Sequence, residues 1–191
     1  MDNLIREKLI NSIGENRYLH SVRVFEIASI LGKIHNVSSE KIKQAAILHD
    51  CGKLRDRTNL LKMASKFGIM LDDTMKYNLE LIHGPLGFKI ARQEYGVKDI
   101  EVLNAIKYHT TGRKNMTVLD KIIYISDYIE PKRNFEGVEK IRQMAYKDLN
   151  KSVLLAMENT IRFLIEKGWL IHPDTIKSRN ELRILMTMSI R

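Results

Sequence analysis

Ile47–Lys53, with the sequence ILHDCGK, is the stretch that decides how this chain is organised. His49 and Asp50 stand side by side at the end of an apolar run with helical spacing. A glycine follows, and Lys53 supplies a cation three residues after the aspartate. Imidazole and carboxylate ligands beside a lysine suit an ion that is held close to a phosphate. A lone His-Asp doublet occurs by chance in many proteins, so its meaning depends on which other polar residues converge on it.

The composition describes an ordinary globular protein from a reducing compartment. The chain has 191 residues, 44% of them hydrophobic and 29% charged, which suits one well-buried domain. The lone Cys51 excludes an intrachain disulfide and a multi-cysteine zinc site. No segment approaches the roughly 20 apolar residues that span a membrane, and the N-terminus has no signal-like apolar run. We therefore expect a cytoplasmic protein without a membrane partner.

A net charge of +9 suggests an anionic partner such as a polyphosphate. The basic residues are spread along the chain, and aromatic residues make up only 7% of it. The interleaved aromatic and basic residues of a stacking platform for nucleic acid are not found. Nucleic acid is therefore disfavoured as a partner, and charge on solvated surfaces explains the excess equally well.

Residues that cap helices, and glycines that end them, recur along the sequence. The sequence shows no convincing strand pattern. The spacing predicts helices over Glu40–Asp50, Ile100–His109 and Val118–Ile129. It also predicts a helix that ends at His83–Gly84, with Pro85 opening the next one. We expect an all-α protein of roughly eight to ten helices.

No repeat, linker or low-complexity segment divides the chain. The prediction is a single domain over residues 1–191. Its core covers about 16–131, and C-terminal helices at about 138–191 pack on that core.

Four of the six histidines lie in or at the end of four different predicted helices: His20, His49, His83 and His109. Glycines close behind the last three would let the backbone turn there. Asp50 and Asp127 add carboxylates, and this mixture of donors suits divalent ions held between facing helices. Each histidine taken alone is more often structural, and we assign His35 and His172 to that class.

The ordered segments Ile47–Asp50, Ile82–Pro85, His109–Gly112 and Asp127–Pro131, with His20 before them, resemble the HD-domain phosphohydrolase superfamily. More narrowly, they look like its YqeK-type symmetrical bis(5'-nucleosyl)-tetraphosphatase family. The resemblance runs from about residue 18 to 180. It implies a helical bundle with a dinuclear metal site in its core, and symmetrical cleavage of diadenosine tetraphosphate into two ADP by a metal-activated water.

The resemblance also implies a ligand set. One ion would be held by His20, His49, Asp50 and Asp127, and the second by His83 and His109, with Asp50 bridging the two. The cofactors expected are two divalent ions, with iron favoured and manganese, cobalt or nickel as alternatives. Such a pair lowers the pKa of a shared water and clamps phosphoryl oxygens.

The residues expected to act in catalysis are Asp50, Lys53 and His83. Those expected to contact substrate are Arg23, Lys53, His83, Thr110, Thr111, Gly112 and Arg133. Lys53 would sit over the attacked phosphate or its leaving group, and the guanidinium groups would bind the polyphosphate chain. Arg23 and Arg133 fit ordinary ion pairs nearly as well, and 110–112 fits simple helix termination. Cys51 is interpreted as a packed residue.

Other functions stay open at this stage. The same site could act on another nucleotide, such as a nucleoside mono- or diphosphate, a cyclic dinucleotide or a guanosine alarmone. A non-catalytic nucleotide-binding module would be expected to lack a ligand, and none is missing here. The charge alone supports a nucleic-acid-binding protein. The methionine-rich stretch Leu185–Met188 could be core or interface, which leaves a homodimer open.

Overall fold

The computed structural model describes residues 3–55 and 60–188, and these ranges contain eleven α-helices and no strand. The helices are α1 Asn3–Ile13, α2 Glu15–Ile34, α3 Ser39–Leu48, α4 Leu60–Lys66, α5 Asp73–Tyr77, α6 His83–Glu94, α7 Ile100–Tyr108, α8 Val118–Ile129, α9 Val138–Ala145, α10 Leu149–Glu166 and α11 Pro173–Met188. A 3₁₀ helix, Leu79–Ile82, joins α5 to α6. The all-α prediction is confirmed, with one more helix than the upper number expected.

Local side-chain caps explain why several helices begin where the sequence predicts. Thr117 accepts a hydrogen bond from the backbone N–H of Asp120, whose carboxylate accepts one from the N–H of Thr117. This capping box starts α8. Asp99 caps α7 by accepting hydrogen bonds from N–H groups of the first turn, without the reciprocal bond. The Glu130–Pro131 step ends α8, because proline disfavours helical geometry in the residue before it.

The predicted helix boundary at His83–Gly84 is wrong. The structure starts α6 at His83, directly after the 3₁₀ helix, and places Pro85 in the first turn, where its missing N–H has no helical partner to lose. A Cβ on Gly84 would collide with the carbonyl oxygen of Lys107. Gly84 is therefore needed for the close packing of α6 on α7, and not for a turn.

The core lies among α2, α3, α7 and α8, with α6 packed on α7 and α1 on α2. Fully buried leucine and isoleucine side chains from these helices fill it, among them Leu31, Ile42, Ile106, Leu119 and Ile122. The C-terminal helices join through α10, which contacts α8, α9 and α11. No helix in ranges 3–55 and 60–188 combines the length and apolar character needed to cross a membrane.

Candidate metal centre

Five helices supply the predicted ligands, and the structure brings all six residues together. His20 lies within α2, His49 and Asp50 follow α3, His83 begins α6, His109 follows α7, and Asp127 lies in α8. The four histidines and Asp50 are almost fully buried. The chain has thus placed five polar side chains in an apolar core, with Asp127 half-buried beside them, and each needs a compensating partner.

Hydrogen bonds to the backbone fix three of the imidazole rings. The Nδ1–H groups of His49 and His109 each donate to the carbonyl oxygen three residues earlier, at 2.7 Å. His83 makes the equivalent bond. Because a carbonyl can only accept, Nδ1 carries the proton in each ring, and the Nε2 lone pair is left for another partner. A backbone partner of this kind commonly orients metal-ligating histidines.

The two oxygens of Asp50 face different pairs of histidines. Oδ2 lies 3.5 Å from Nε2 of His49 and 3.8 Å from Nε2 of His20. Oδ1 lies 3.6 Å from Nε2 of His83 and 3.4 Å from Nε2 of His109. Oδ1 is buried and has no hydrogen-bond partner among the described residues. A carboxylate placed in this way can bridge two cations, one at each oxygen.

The short distance between the two Nε2 atoms of each histidine pair favours a cation between the two rings. Nε2 of His20 lies 3.3 Å from Nε2 of His49, and Nε2 of His83 lies 3.0 Å from Nε2 of His109. Asp127 joins the first pair, with its Oδ1 at 3.0 Å from Nε2 of His20. Facing nitrogen lone pairs repel unless a positive ion or a proton lies between them. The donor set, imidazole nitrogen with carboxylate oxygen, therefore fits divalent metal ions.

The protonation states also suit metal binding. Burial lowers the pKa of His49 to about 4, although Asp50 opposes the shift. Burial, with the nearby charge of His109 and Lys53, lowers the pKa of His83 to about 3. Burial would raise the pKa of Asp50, but electrostatic interaction with His49, a hydrogen bond with His109 and the charge of Lys53 hold that pKa well below its usual range. At neutral pH both rings are neutral and the carboxylate is ionised, as ligands must be.

Two residues at the centre were missed by the sequence analysis. Arg17 places Nη1 3.0 Å from Oδ2 of Asp50. Glu130 is buried, and its Oε1 lies 3.4 Å from Nδ1 of His20. Arg17 could have been found from its spacing, because it precedes His20 by three residues and shares its helix face. Glu130 lies within the segment Asp127–Pro131 that carries the family resemblance, but the sequence assigned it no role at the site.

The predicted substrate residues divide into two groups. Lys53 lies beside the centre, with Nζ at 3.5 Å from Oδ1 of Asp50. Thr110 places its hydroxyl 3.1 Å from Nε2 of His83. Arg133 contacts the ligand Asp127 through Nη2 at 2.7 Å and is partly exposed.

The remaining predicted contacts have other partners. Arg23 is bound to Glu130 at 2.6 Å, so it reaches His20 only through that carboxylate. The hydroxyl of Thr111 donates to the carbonyl of Gly112. Gly112 has φ 69°, and a Cβ there would lie 2.6 Å from side-chain atoms of α10 and α11. The structure brings neither Thr111 nor Gly112 into a hydrogen bond or ion pair with a predicted ligand in the described ranges.

Cys51 is a packed residue, as predicted. It is buried, and its thiol donates to the carbonyl oxygen of Gly87 at 3.4 Å. Burial raises the pKa of the thiol, with the charge of Asp50 adding to the shift. Cys51 is therefore neither a nucleophile nor a ligand.

The model of the HD domain family matches residues 17–132, the segment that contains all six predicted ligands. This chain belongs to the HD-domain family. The chain is also similar to three proteins named symmetrical bis(5'-nucleosyl)-tetraphosphatase. The chain is 44% identical to that of Halalkalibacterium halodurans, with 89% of this chain and 90% of the relative covered. It is 39% identical to the Bacillus subtilis protein, with 89% of this chain and 91% of the relative covered. It is 41% identical to the Staphylococcus aureus protein, with 93% of this chain and 90% of the relative covered.

A solved HD-domain structure has the same fold over its whole length. It is described as a predicted HD superfamily hydrolase involved in NAD metabolism, from Clostridium acetobutylicum. The TM-score is 0.90 at 42% identity, with 100% of this chain and 98% of the other covered. The resemblance inferred from the sequence motifs is therefore confirmed.

Proposed function

We propose that this protein is a metal-dependent phosphohydrolase that cleaves diadenosine tetraphosphate, and related dinucleoside polyphosphates, symmetrically to release ADP. The observation that best supports the proposal is the position of Asp50, whose two oxygens face separate histidine pairs. Relatives at 39–44% identity over about nine tenths of the chain are named symmetrical bis(5'-nucleosyl)-tetraphosphatases. Together, the geometry and the similarity favour this reaction over other uses of an HD domain.

We further propose that two divalent ions bind here. His20, His49, Asp50 and Asp127 would hold the first, and His83, His109 and Asp50 the second. The family resemblance favours iron. Manganese, cobalt and nickel are alternatives, because nitrogen and oxygen donors accept all four metals. Such ions supply Lewis acidity, which activates water and neutralises charge on phosphoryl oxygens.

The protein's own residues would orient and neutralise the substrate. The backbone bonds of His49, His83 and His109 keep their rings fixed, so little reorganisation is needed when a phosphate arrives. Lys53 and Arg17 approach the two oxygens of Asp50 from the more exposed side, where a phosphate would enter. Their positive charges would offset the charge of the polyphosphate chain.

Product analysis tests the proposed function directly. The protein loaded with Fe(II) or Mn(II) under anaerobic conditions is incubated with diadenosine tetraphosphate, and the products are separated by anion-exchange chromatography. We expect ADP as the sole product, with one ADP of each pair labelled when the reaction is run in ¹⁸O-water. Release of ATP and AMP, or no metal-dependent turnover, would contradict the proposal.

A second candidate is another nucleotide pyrophosphate, because the solved relative is described as involved in NAD metabolism. A panel of NAD⁺, a nucleoside mono- and diphosphate, a cyclic dinucleotide and a guanosine alarmone separates these substrates from diadenosine tetraphosphate. Faster turnover of any of them would assign the site to that nucleotide.

Three features remain predictions: a single domain over residues 1–191, a cytoplasmic location and a possible homodimer.

A further inference from the structure

A cavity of about 220 Å³ opens directly beside the predicted metal centre. Its lining includes His83, Lys53, Arg17 and Arg55, and Arg17 also contacts Asp50 at the centre. Glu80 is the acidic residue in this lining. The cavity is therefore predominantly cationic, and it adjoins the residues that a phosphate must approach.

A second, outer cavity shares Ile13, Arg17 and Arg55 with the first. It has a volume of about 540 Å³, and its remaining lining residues are Gly14, Glu15 and Asn16, so two arginines outnumber one exposed carboxylate there. It borders the first turn of α2, whose backbone N–H groups receive no side-chain cap. We name the two cavities together the basic groove. Their combined size lies within the range of about 300–1,000 Å³ that is typical of small-molecule sites.

The position of Arg55 is built into the fold. Its backbone N–H donates to the carbonyl oxygen of Ser12 at 3.1 Å, which ties the segment after Lys53 to the end of α1. Gly14 has φ 89°, and a Cβ there would lie 3.0 Å from Nε of Arg55. The glycine thus forms the corner between α1 and α2 and also leaves room for the guanidinium.

Arg17 and Arg55 differ in what they already bind. Arg17 reaches inward to Oδ2 of Asp50. Arg55 is exposed and makes no ion pair with any carboxylate within ranges 3–55 and 60–188. A guanidinium at a cavity mouth that pairs with no carboxylate of the described residues is suited to bind a phosphate by its planar fork.

We propose that the basic groove binds one ADP half of the substrate, with Arg17 and Arg55 as its phosphate ligands. The proposal rests on the proposed function for the identity of the substrate. The reacting phosphate would lie at Asp50, and the groove would accept the phosphate and nucleoside that extend from it past Arg17 to Arg55. Neither arginine is among the ligands or substrate residues inferred from sequence.

Arg55→Ala and Arg17→Ala test the groove, with Arg92→Ala as the matched control. Arg92 is exposed near the end of α6 and makes no ion pair in the described ranges. For Arg55→Ala we expect KM for diadenosine tetraphosphate to rise about tenfold or more, since a charge-assisted bond is lost. The value of kcat should stay within about threefold of wild type, because binding and not chemistry is affected. Arg17→Ala should show a similar rise in KM, and Arg92→Ala none.

Equilibrium dialysis with ADP gives a second measurement that does not require turnover. The Kd of the metal-loaded protein for ADP should rise about tenfold in Arg55→Ala, with the metal content unchanged by elemental analysis. Because Arg17 also contacts Asp50, Arg55→Ala decides the outcome by itself. Wild-type KM and wild-type Kd for ADP in that variant would overturn the proposal.

The two proposals fail in different ways. If the wild-type protein does not hydrolyse diadenosine tetraphosphate, the proposed function is wrong, and the dialysis still tests the groove. If it hydrolyses that substrate and Arg55→Ala does so with an unchanged KM, only the groove is wrong.

Discussion

Gly52 lies between Asp50 and Lys53 and has no room for a methyl group. A Cβ at this position would lie 2.7 Å from the backbone nitrogen of Gly87 and closer still to the carbonyl oxygen of His83. Both atoms belong to the backbone of α6, so no side-chain rotation can relieve the contact. Because non-bonded carbon contacts are comfortable near 3.5 Å, Gly52→Ala requires α6 to move by about 1 Å.

Two effects of this displacement can be given a magnitude. Overpacking against a rigid backbone should lower the free energy of unfolding by about 3 kcal/mol. For a chain of this size that lowers Tm by about 6–12 °C. His83 is the first residue of α6 and moves with it, and a shift of about 1 Å at a reacting centre costs about 100-fold in rate.

The measurements are thermal unfolding by circular dichroism and the turnover number with diadenosine tetraphosphate. Gly87→Ala is the matched control, because its Cβ would meet the Ile106 side chain, at 3.1 Å, and no closer atom. That methyl group can shift, so we expect a change of less than about 1 kcal/mol. If Gly52→Ala melts and reacts like wild type, the close approach of this turn to α6 is not a requirement of the fold.

Three further predictions concern the metal centre. Asp50→Asn replaces one bridging oxygen by an amide group that donates hydrogen bonds, so elemental analysis should find both ions lost and turnover should fall below detection. Retention of two ions would contradict the bridging role. Glu130→Gln removes the charged partner of His20, and the affinity for metal should fall about 10–100-fold in a chelator competition assay. An unchanged affinity would show that Glu130 does not orient the ring. Finally, His49 and His83 have folded-state pKa values of about 4 and about 3. These values lie below the pKa of about 6.5 in the unfolded chain, so the unfolded chain binds more protons at acidic pH. The metal-free protein should therefore lose stability as the pH falls from about 6.5 towards 4. Urea unfolding across that range measures the loss, and a flat profile would contradict it.

The sequence by itself determined the helices and the candidate ligands. Capping at Thr117 and the Glu130–Pro131 step set the bounds of α8, because both act through neighbours in the chain. The order of His20, His49–Asp50, His83, His109 and Asp127 predicted a shared centre through its resemblance to the HD-domain superfamily, and these residue types suit divalent metal ions.

Only the tertiary structure decided which other groups meet that centre. Spacing places Arg17 on the helix face of His20, but its contact with Asp50 depends on how α2 packs against the end of α3. Glu130 meets His20 across the packing of α8 on α2, and spacing along the chain does not specify that contact. The predicted turn at Gly84 proved to be a site of close contact between α6 and α7. In a sequence, a glycine that forms a turn cannot be distinguished from a glycine that lets two backbones pack closely. The distinction depends on which backbone lies opposite, and that is fixed only when the helices pack.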